Sequence, residues 1–207
     1  MKTVTSQKRS LETRSKILIA AKLSFSKHGF NATSFRNIAI DAGVNHAVIS
    51  YHFGSKEELW TAVVKELHKA LANVSAFEVK AEIDYRTQFK AQVKAMVSYF
   101  AKEPFLIRIV YQESLSNSAR LLKLFPLLQA YREGSYEYLK KLKEVNLLKD
   151  IPINDMTTLF ACILTSRFVH DNLFEKLEGI NTPLEELIER HSEGITQLFC
   201  KSNYVMN

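Results

Sequence analysis

Apolar residues recur at intervals of three and four along nearly the whole chain, and alternating runs bounded by turn residues are absent. The pattern predicts an all-α protein of about nine helices. A first helix is expected from about Ser10 to His28, with Ile17, Ala21 and Phe25 on one face and Gly29 just past its end. Thr33 or Ser34 caps a short second helix, FRNIAIDA, which stops at Gly43. Asn45 caps a third, HAVISYHF, which stops near Gly54. Ser55 to Glu58 reads S-x-x-E, a capping box in which hydroxyl and carboxylate satisfy backbone N–H groups reciprocally. It opens a long fourth helix through Leu59, Val63, Leu67 and Leu71, continuing past Val74 towards Glu82.

Further on, Asp84 caps a helix to about Lys102 with Phe89, Val93, Met96, Val97 and Phe100 inward, and Pro104 starts the short apolar FLIRIVYQESL. Pro126 begins or kinks a helix through LLQAYREGSYEYLKKLKEV, and the pattern breaks from Asn146 to Pro152. Asn154 caps MTTLFACILTSRFVHDNLFEKLE, which Gly179 ends. Thr182-Pro183, with Glu185 and Glu186, opens a last helix to about Lys201.

With 207 residues, 46% hydrophobic, and only six Gly and four Pro, the chain can bury a sizeable core and is neither fibrous nor disordered in composition. Cys162 and Cys200 lie in apolar sequence without a CxxC or Cys/His cluster, so free thiols in a reducing cytosol are expected, with no metal and no cofactor. The N-terminus lacks an apolar segment, and no run of about 18 uncharged apolar residues exists, so the protein is expected to be cytoplasmic and not membrane-bound. Catalysis is not expected. His170-Asp171 with Glu175 does not place His and Glu on one helix face as His-x3-His would, His191 has no neighbouring nucleophile, and G-x-S-x-G and Gly-rich phosphate loops are missing.

The charge is concentrated. Residues 1–56 carry nine basic and two acidic side chains, net +7, against +6 for the entire chain. Such a bias points to a polyanion, either nucleic acid or an anionic membrane surface. Within this quarter, two short capped helices around a glycine turn form the helix-turn-helix arrangement. Ala39 is small where the third helix crosses, Gly43 supplies a left-handed turn, and Ile38, Ala42, Val44 and Ile49 fill the wedge. The remaining face of the third helix, with His46, Ala47, Ser50 and Tyr51, suits either entry into a DNA major groove or an ordinary polar surface.

These residues resemble the TetR (tetracycline-repressor-like) family of transcriptional regulators. The resemblance runs from Arg14-x-x-Ile17-Leu18-x-Ala20-Ala21-x3-Phe25-x3-Gly29-Phe30 through Thr33-Ser34-x3-Ile38-Ala39-x2-Ala42-Gly43-Val44 to His52-Phe53-x2-Lys56-x2-Leu59. It implies a helix-turn-helix DNA-binding domain over residues 10–70, with the motif itself at about 34–53, and a ligand-binding and dimerisation domain over 71–207. It further implies that Thr33 or Ser34 and Lys56 contact phosphates and that Asn45 to His52 form the recognition helix. Arg36 joins this set as a nearby cation. Ser50 stands where the family usually has Tyr, and Ala47 replaces a common Gly, so the operator code does not transfer; Tyr51 is the candidate for the missing aromatic contact. The basic segment Lys2 to Arg14 is expected either as an arm reaching the adjacent groove or as disordered in the free protein, readings that agree if the arm orders on DNA.

For the second unit the resemblance implies a homodimer and a cavity for a small effector. Candidate dimer residues are Leu159 and Ile163 on one helix with Leu187, Ile188 and Ile195 on the other, although an intrachain core accounts for them equally. Candidate cavity residues are Phe89, Met96, Phe100, Phe105, Ile109, Tyr131, Phe160 and Arg167. Arg108, Arg132 and Arg167 are expected to pair with a ligand carboxylate or with Glu113, Glu137 and Asp171, at least two of them internally. The function implied is a sequence-specific regulator binding double-stranded DNA, a repressor released from a pseudopalindromic operator by a small apolar or amphipathic molecule. An activator of the same fold, or a non-specific nucleic-acid or membrane-surface binder, is the alternative.

Overall fold

The computed structural model describes residues 2–75, 78–80, 83–116, 118–169, 173–179 and 182–202. Ten helices lie among them. The first four are α1 (Lys2–Ala32), α2 (Phe35–Ala42), α3 (His46–Phe53) and α4 (Lys56–Val74). The remaining six are α5 (Tyr85–Lys102), α6 (Phe105–Leu115), α7 (Arg120–Glu144), α8 (Ile153–Val169), α9 (Leu173–Glu178) and α10 (Leu184–Phe199).

Local signals set most boundaries. Ser34 Oγ accepts from Asn37 N–H (3.2 Å), Asn45 Oδ1 from Ala47 N–H (2.9 Å) and Asp84 Oδ2 from Thr87 N–H (2.8 Å), each filling a vacant donor at a helix start. Both halves of the Ser55–Glu58 capping box form. Gly43 takes the left-handed conformation (φ 63, ψ 38) that lets Val44 N–H turn back to Ala39 O at 3.0 Å, so α3 crosses α2 tightly.

Four boundaries differ from the periodicity. α1 begins at Lys2 instead of Ser10, because no Gly or Pro interrupts residues 2–28, and the basic segment expected as an arm is helical. The break falls at Gly29 (φ 74, ψ 173), after which the helical turn resumes to Ala32. α4 ends at Val74, where the Ser75 hydroxyl and amide both donate to Leu71 O and close the last turn. α7 starts at Arg120 and carries Pro126 inside it, and α8 starts at Ile153, so Asn154, expected as its cap, lies within the helix; α8 and α9 are the described parts of the run expected to end at Gly179.

Ile17, Ala21 and Phe25 of α1 pack with Ile38, Ile49 and the Leu59, Val63 and Leu67 stripe of α4, forming the core of the N-terminal unit. The second core is aromatic. Phe89 of α5 lies 5.9 Å from Phe160 of α8 and 6.5 Å from Tyr138 of α7 and from Phe199 of α10. Outside it, Lys90 and Lys94 of α5 pair with Glu193 (2.6 Å) and Glu189 (2.5 Å) of α10. A short antiparallel bridge between Leu148 and Cys200 ties the end of α10 to the loop after α7.

The two parts of the core are continuous, and one place where they meet is the end of α1. There the guanidinium of Arg120 (α7) lies 3.7 Å from the centroid of the Phe30 ring, and Lys56 Nζ (α4) lies 4.3 Å from the same ring. Arg120 Nε also donates to Glu113 of α6 at 3.1 Å, a carboxylate only 2% exposed. Lys123 reaches Glu57 at 2.6 Å, again joining α7 to α4. A second link runs from Lys22 of α1 to Glu103 (2.8 Å) and across the Phe105 ring (4.6 Å). Arg120→Ala is expected to lower the unfolding free energy by about 3 kcal/mol, since Glu113 is then buried without its counter-charge. Adding Glu113→Gln should recover part of the loss. Urea unfolding followed by the emission of Trp60, the single tryptophan, checks both.

Candidate nucleic-acid interface

α3 divides sharply into two faces. Ile49 and Phe53 are buried against α1 and α4, while His46, Ala47 and Ser50 are exposed and Tyr51 is 84% exposed. His52 is half-buried. His46 sits edge-on to Phe35 (centroids 5.9 Å apart), and Tyr51 edge-on to His52 (5.3 Å), so both exposed rings stand on aromatic neighbours. Asn45 spends its amide oxygen on the helix N-terminus. Arg36 projects from α2 into solvent.

The helical N-terminus changes the surroundings of this face. Gln7, Arg9, Ser10 and Thr13 of α1 form, with Val48, Tyr51 and His52, an open groove alongside α3. Arg14, one position on, lies over the Phe53 ring at 5.0 Å. Gln7 and Thr13 were not among the expected site residues. The signal that would have found them is the helical spacing by three of Gln7, Ser10 and Thr13, which brings one polar row beside α3.

Two of the residues expected at phosphates make internal hydrogen bonds in the free chain. Thr33 is 2% exposed; its hydroxyl donates to Gly29 O (2.8 Å) and lies 3.1 Å from Ser24 Oγ, so it closes the end of α1 internally. Ser34, half-buried, is the residue at the α2 N-terminus. Lys56 turns inward as well: its ammonium donates to Phe30 O and Thr33 O, both at 2.9 Å, neutralising carbonyls at the C-terminal end of α1. Burial and the nearby Arg120 charge hold its pKa below the ordinary lysine value. The spacing predicted a cation at this place but not its direction.

In the second unit an apolar cavity of about 330 Å³ lies among α4 to α8. Phe100 and Tyr131 line it, as expected. The other six expected residues do not. Phe89, Met96, Ile109 and Phe160 are fully enclosed by core packing, Phe105 lies under Lys22, and Arg167 stands over Phe174 (5.2 Å) on the far side of α8. Of the carboxylates expected to pair with Arg108, Arg132 or Arg167, Glu113 is held by a different arginine. Arg120 takes Glu113, Arg108 Nε donates to Phe168 O at 3.0 Å, and Arg132 donates to the Asn154 amide oxygen at 3.3 Å. His170 and Asp171 lie outside the described residues.

A separate shallow groove between α8 and α10 is bordered by Ile163, Arg167, Leu187, His191, Gly194 and Leu198, among others. Leu159 is half exposed on the same side of α8. Ile188, expected at a dimer interface, is 1% exposed where α5 packs on α10, while Ile195, also expected there and 1% exposed, borders this groove from below. Among the described residues no helix is long and apolar enough to cross a membrane, and no group of three or more His, Cys, Asp or Glu gathers.

A capped helix pair around a left-handed glycine, one exposed helix face and a helical body enclosing a cavity define a two-unit helix-turn-helix protein. Residues 17–63 match the bacterial regulatory proteins, tetR family, so the helix-turn-helix unit is similar to that family's DNA-binding unit. The chain is 32% identical over 106 residues to the HTH-type transcriptional repressor NicS of Pseudomonas putida, covering 50% of this chain and 49% of that one. With the HTH-type transcriptional activator FasR of Mycolicibacterium smegmatis it shares 30% over 101 residues, covering 49% and 46%. The chain thus spans about half the length of the curated relatives it matches. The TetR family transcriptional regulator PfmR from Thermus thermophilus superposes with a TM-score of 0.68 at 22% identity, over 87% of this chain and 97% of that one, so the likeness of fold extends through the second unit.

The placements of Tyr51 and Lys56 lead to opposite expectations for stability. Tyr51→Ala should leave the unfolding free energy within about 0.5 kcal/mol of the parent, as for other exposed positions. Lys56→Ala should lower it by about 1.5 kcal/mol, the charged donor of two carbonyl bonds being lost. Urea midpoints at equal m-values measure both.

Proposed function

We propose that the protein is a sequence-specific, DNA-binding transcriptional regulator that acts as a homodimer. On this reading it is a repressor released from a pseudopalindromic operator when a small apolar or amphipathic molecule fills the cavity among α4 to α8. The observation that carries the reading is the α3 face. It is short, N-capped, exposed along His46, Ala47, Ser50 and Tyr51, and flanked by the basic N-terminal turns of α1. A helix of this kind fits the major groove, where hydrogen-bonding side chains near its N-terminus meet base edges. Arg9 and Arg36, both exposed, are assigned to phosphates, and Ser34 contributes as the half-buried residue at the start of α2.

Reading both half-sites requires a two-fold partner. The α8 and α10 groove supports that role: Leu198 borders it as an exposed apolar side chain, Leu159 of α8 and Leu184 of α10 are exposed as well, and a side chain on Gly194 would meet open space, so a second copy can approach closely. Repression follows the name of NicS and activation that of FasR; the position of the operator relative to the promoter decides between them. The non-specific alternative differs in one measurable property, the ratio of specific to non-specific affinity, which is on the order of 10³ or more for a regulator.

Selection of bound duplexes from a random library tests the reading. The expected result is an enriched pseudopalindrome, which Tyr51→Ala alters, while Arg9→Ala weakens all sequences about equally and reduces the salt slope by about one. Lack of enrichment above background leaves the non-specific binder in its place. Leu198→Glu, at a position 55% exposed, is expected to give a folded monomer by sedimentation and to lose operator affinity.

A further inference from the structure

We infer that the cavity among α4 to α8 takes an apolar monocarboxylate, its hydrocarbon body inside and its carboxylate at the mouth against Arg132. The inference rests on the proposed effector role of that cavity and specifies the ligand's chemistry.

The hydroxyl groups in the wall determine what the interior accepts. Ser135, Thr157, Thr158 and Thr165 all line it, but each donates to its own helix, to Tyr131 O (3.0 Å), Ile153 O (2.8 Å), Asn154 O (3.0 Å) and Ala161 O (2.8 Å). A ligand carrying polar atoms along its body would lose water there without regaining those donors. The rest of the wall, including Leu71, Phe100, Leu106, Val110, Leu124 and Leu128, is hydrocarbon. The volume of about 330 Å³ is at the small end of the range for ligand sites, about 300–1,000 Å³.

Charge then sets the polar end. Among the described residues no carboxylate lines the cavity, and burial keeps the Tyr131 phenol protonated, so that wall carries no negative charge. The ionisable groups of positive type are His68 and Arg132. Arg132 is exposed, and its guanidinium donates to a neutral amide, Asn154 Oδ1. Among the described residues it forms no ion pair, in contrast with Arg120, which is held by Glu113. An arginine at the rim of a hydrocarbon cavity presents a planar set of donors that a carboxylate matches with two parallel bonds. A cation finds no counter-charge in the same place.

Calorimetry on the full chain with decanoate, decanol and decyltrimethylammonium tests this. Decanoate should bind about tenfold more tightly than decanol, the ratio corresponding to one charge-assisted hydrogen-bonded contact, and the ammonium more weakly than either. Arg132→Ala should bring decanoate down to the level of decanol while leaving decanol unchanged. Ala161→Phe, and independently Leu128→Trp, should abolish binding of all three by filling the space.

Decanol or the ammonium binding as tightly as decanoate overturns the carboxylate assignment, as does decanoate binding that Arg132→Ala leaves intact. Binding that survives both cavity-filling variants overturns the site. Absence of decanoate binding also overturns the assignment. In that case uptake of N-phenylnaphthylamine by the parent chain, lost in the filled variants, keeps the effector reading separate from it. Decanoate that binds as expected and leaves operator affinity unchanged overturns the effector reading and not the ligand class.

Discussion

The Phe30 ring is a point at which groups from both units converge. It lies just beyond the break at Gly29, stacked 5.9 Å from Phe25, so it belongs to the core that positions α2 and α3. Two cations from outside α1 converge on it. Lys56 comes from the first residue of α4 and Arg120 from the first residue of α7. Each is anchored a second time, Lys56 by two carbonyls at the end of α1 and Arg120 by the buried carboxylate of Glu113. Like charges brought this close repel, which is part of why the Lys56 pKa falls. They stay because ring, carbonyls and carboxylate together outweigh the repulsion. The helix-turn-helix thus rests on a contact in which α4, α6 and α7 all take part.

This contact also shows where sequence reasoning stops. The helix-turn-helix was legible because its determinants are local: a serine or asparagine bonds an amide two or three residues on, and Gly43 needs only its own φ. Lys56 was legible as a cation at a helix start, but its direction depends on carbonyls 23 and 26 residues away. Thr33 and Ser34 were equivalent as caps until the fold buried one of them. Glu113 was legible as a partner for an arginine, but not that the arginine would be Arg120, because nothing nearby in the chain announces that Phe30 lies beside their elements.

The cavity shows the same limit within a single helix. Met96 and Phe100 are one turn apart on the inward face of α5, and periodicity treats them alike. Phe100 borders the void, whereas Met96 is enclosed. Which inward residue meets empty space depends on how α6 and α7 fail to close over α5. On α10, the adjacent Leu187 and Ile188 likewise part: one borders the outer groove, and the other is buried against α5. A stripe identifies the buried face but not the element that buries it.

The position of the cavity relative to Phe30 gives the proposed regulation a physical route. Its wall uses Val110 and Tyr111 of α6, within one turn of Glu113, and Leu124 of α7, one turn beyond Arg120. The helices that surround a ligand are therefore the ones that carry the two halves of the buried ion pair. A ligand shifts the balance between two arrangements only by the difference in its affinity for them. A hydrocarbon wall with its hydroxyls turned away allows such a difference to arise from volume alone. Small changes in the spacing of α6 and α7 are then felt at Arg120, where an ion pair in low dielectric is sensitive to distance, and through Phe30 at the α1 end that supports α2 and α3.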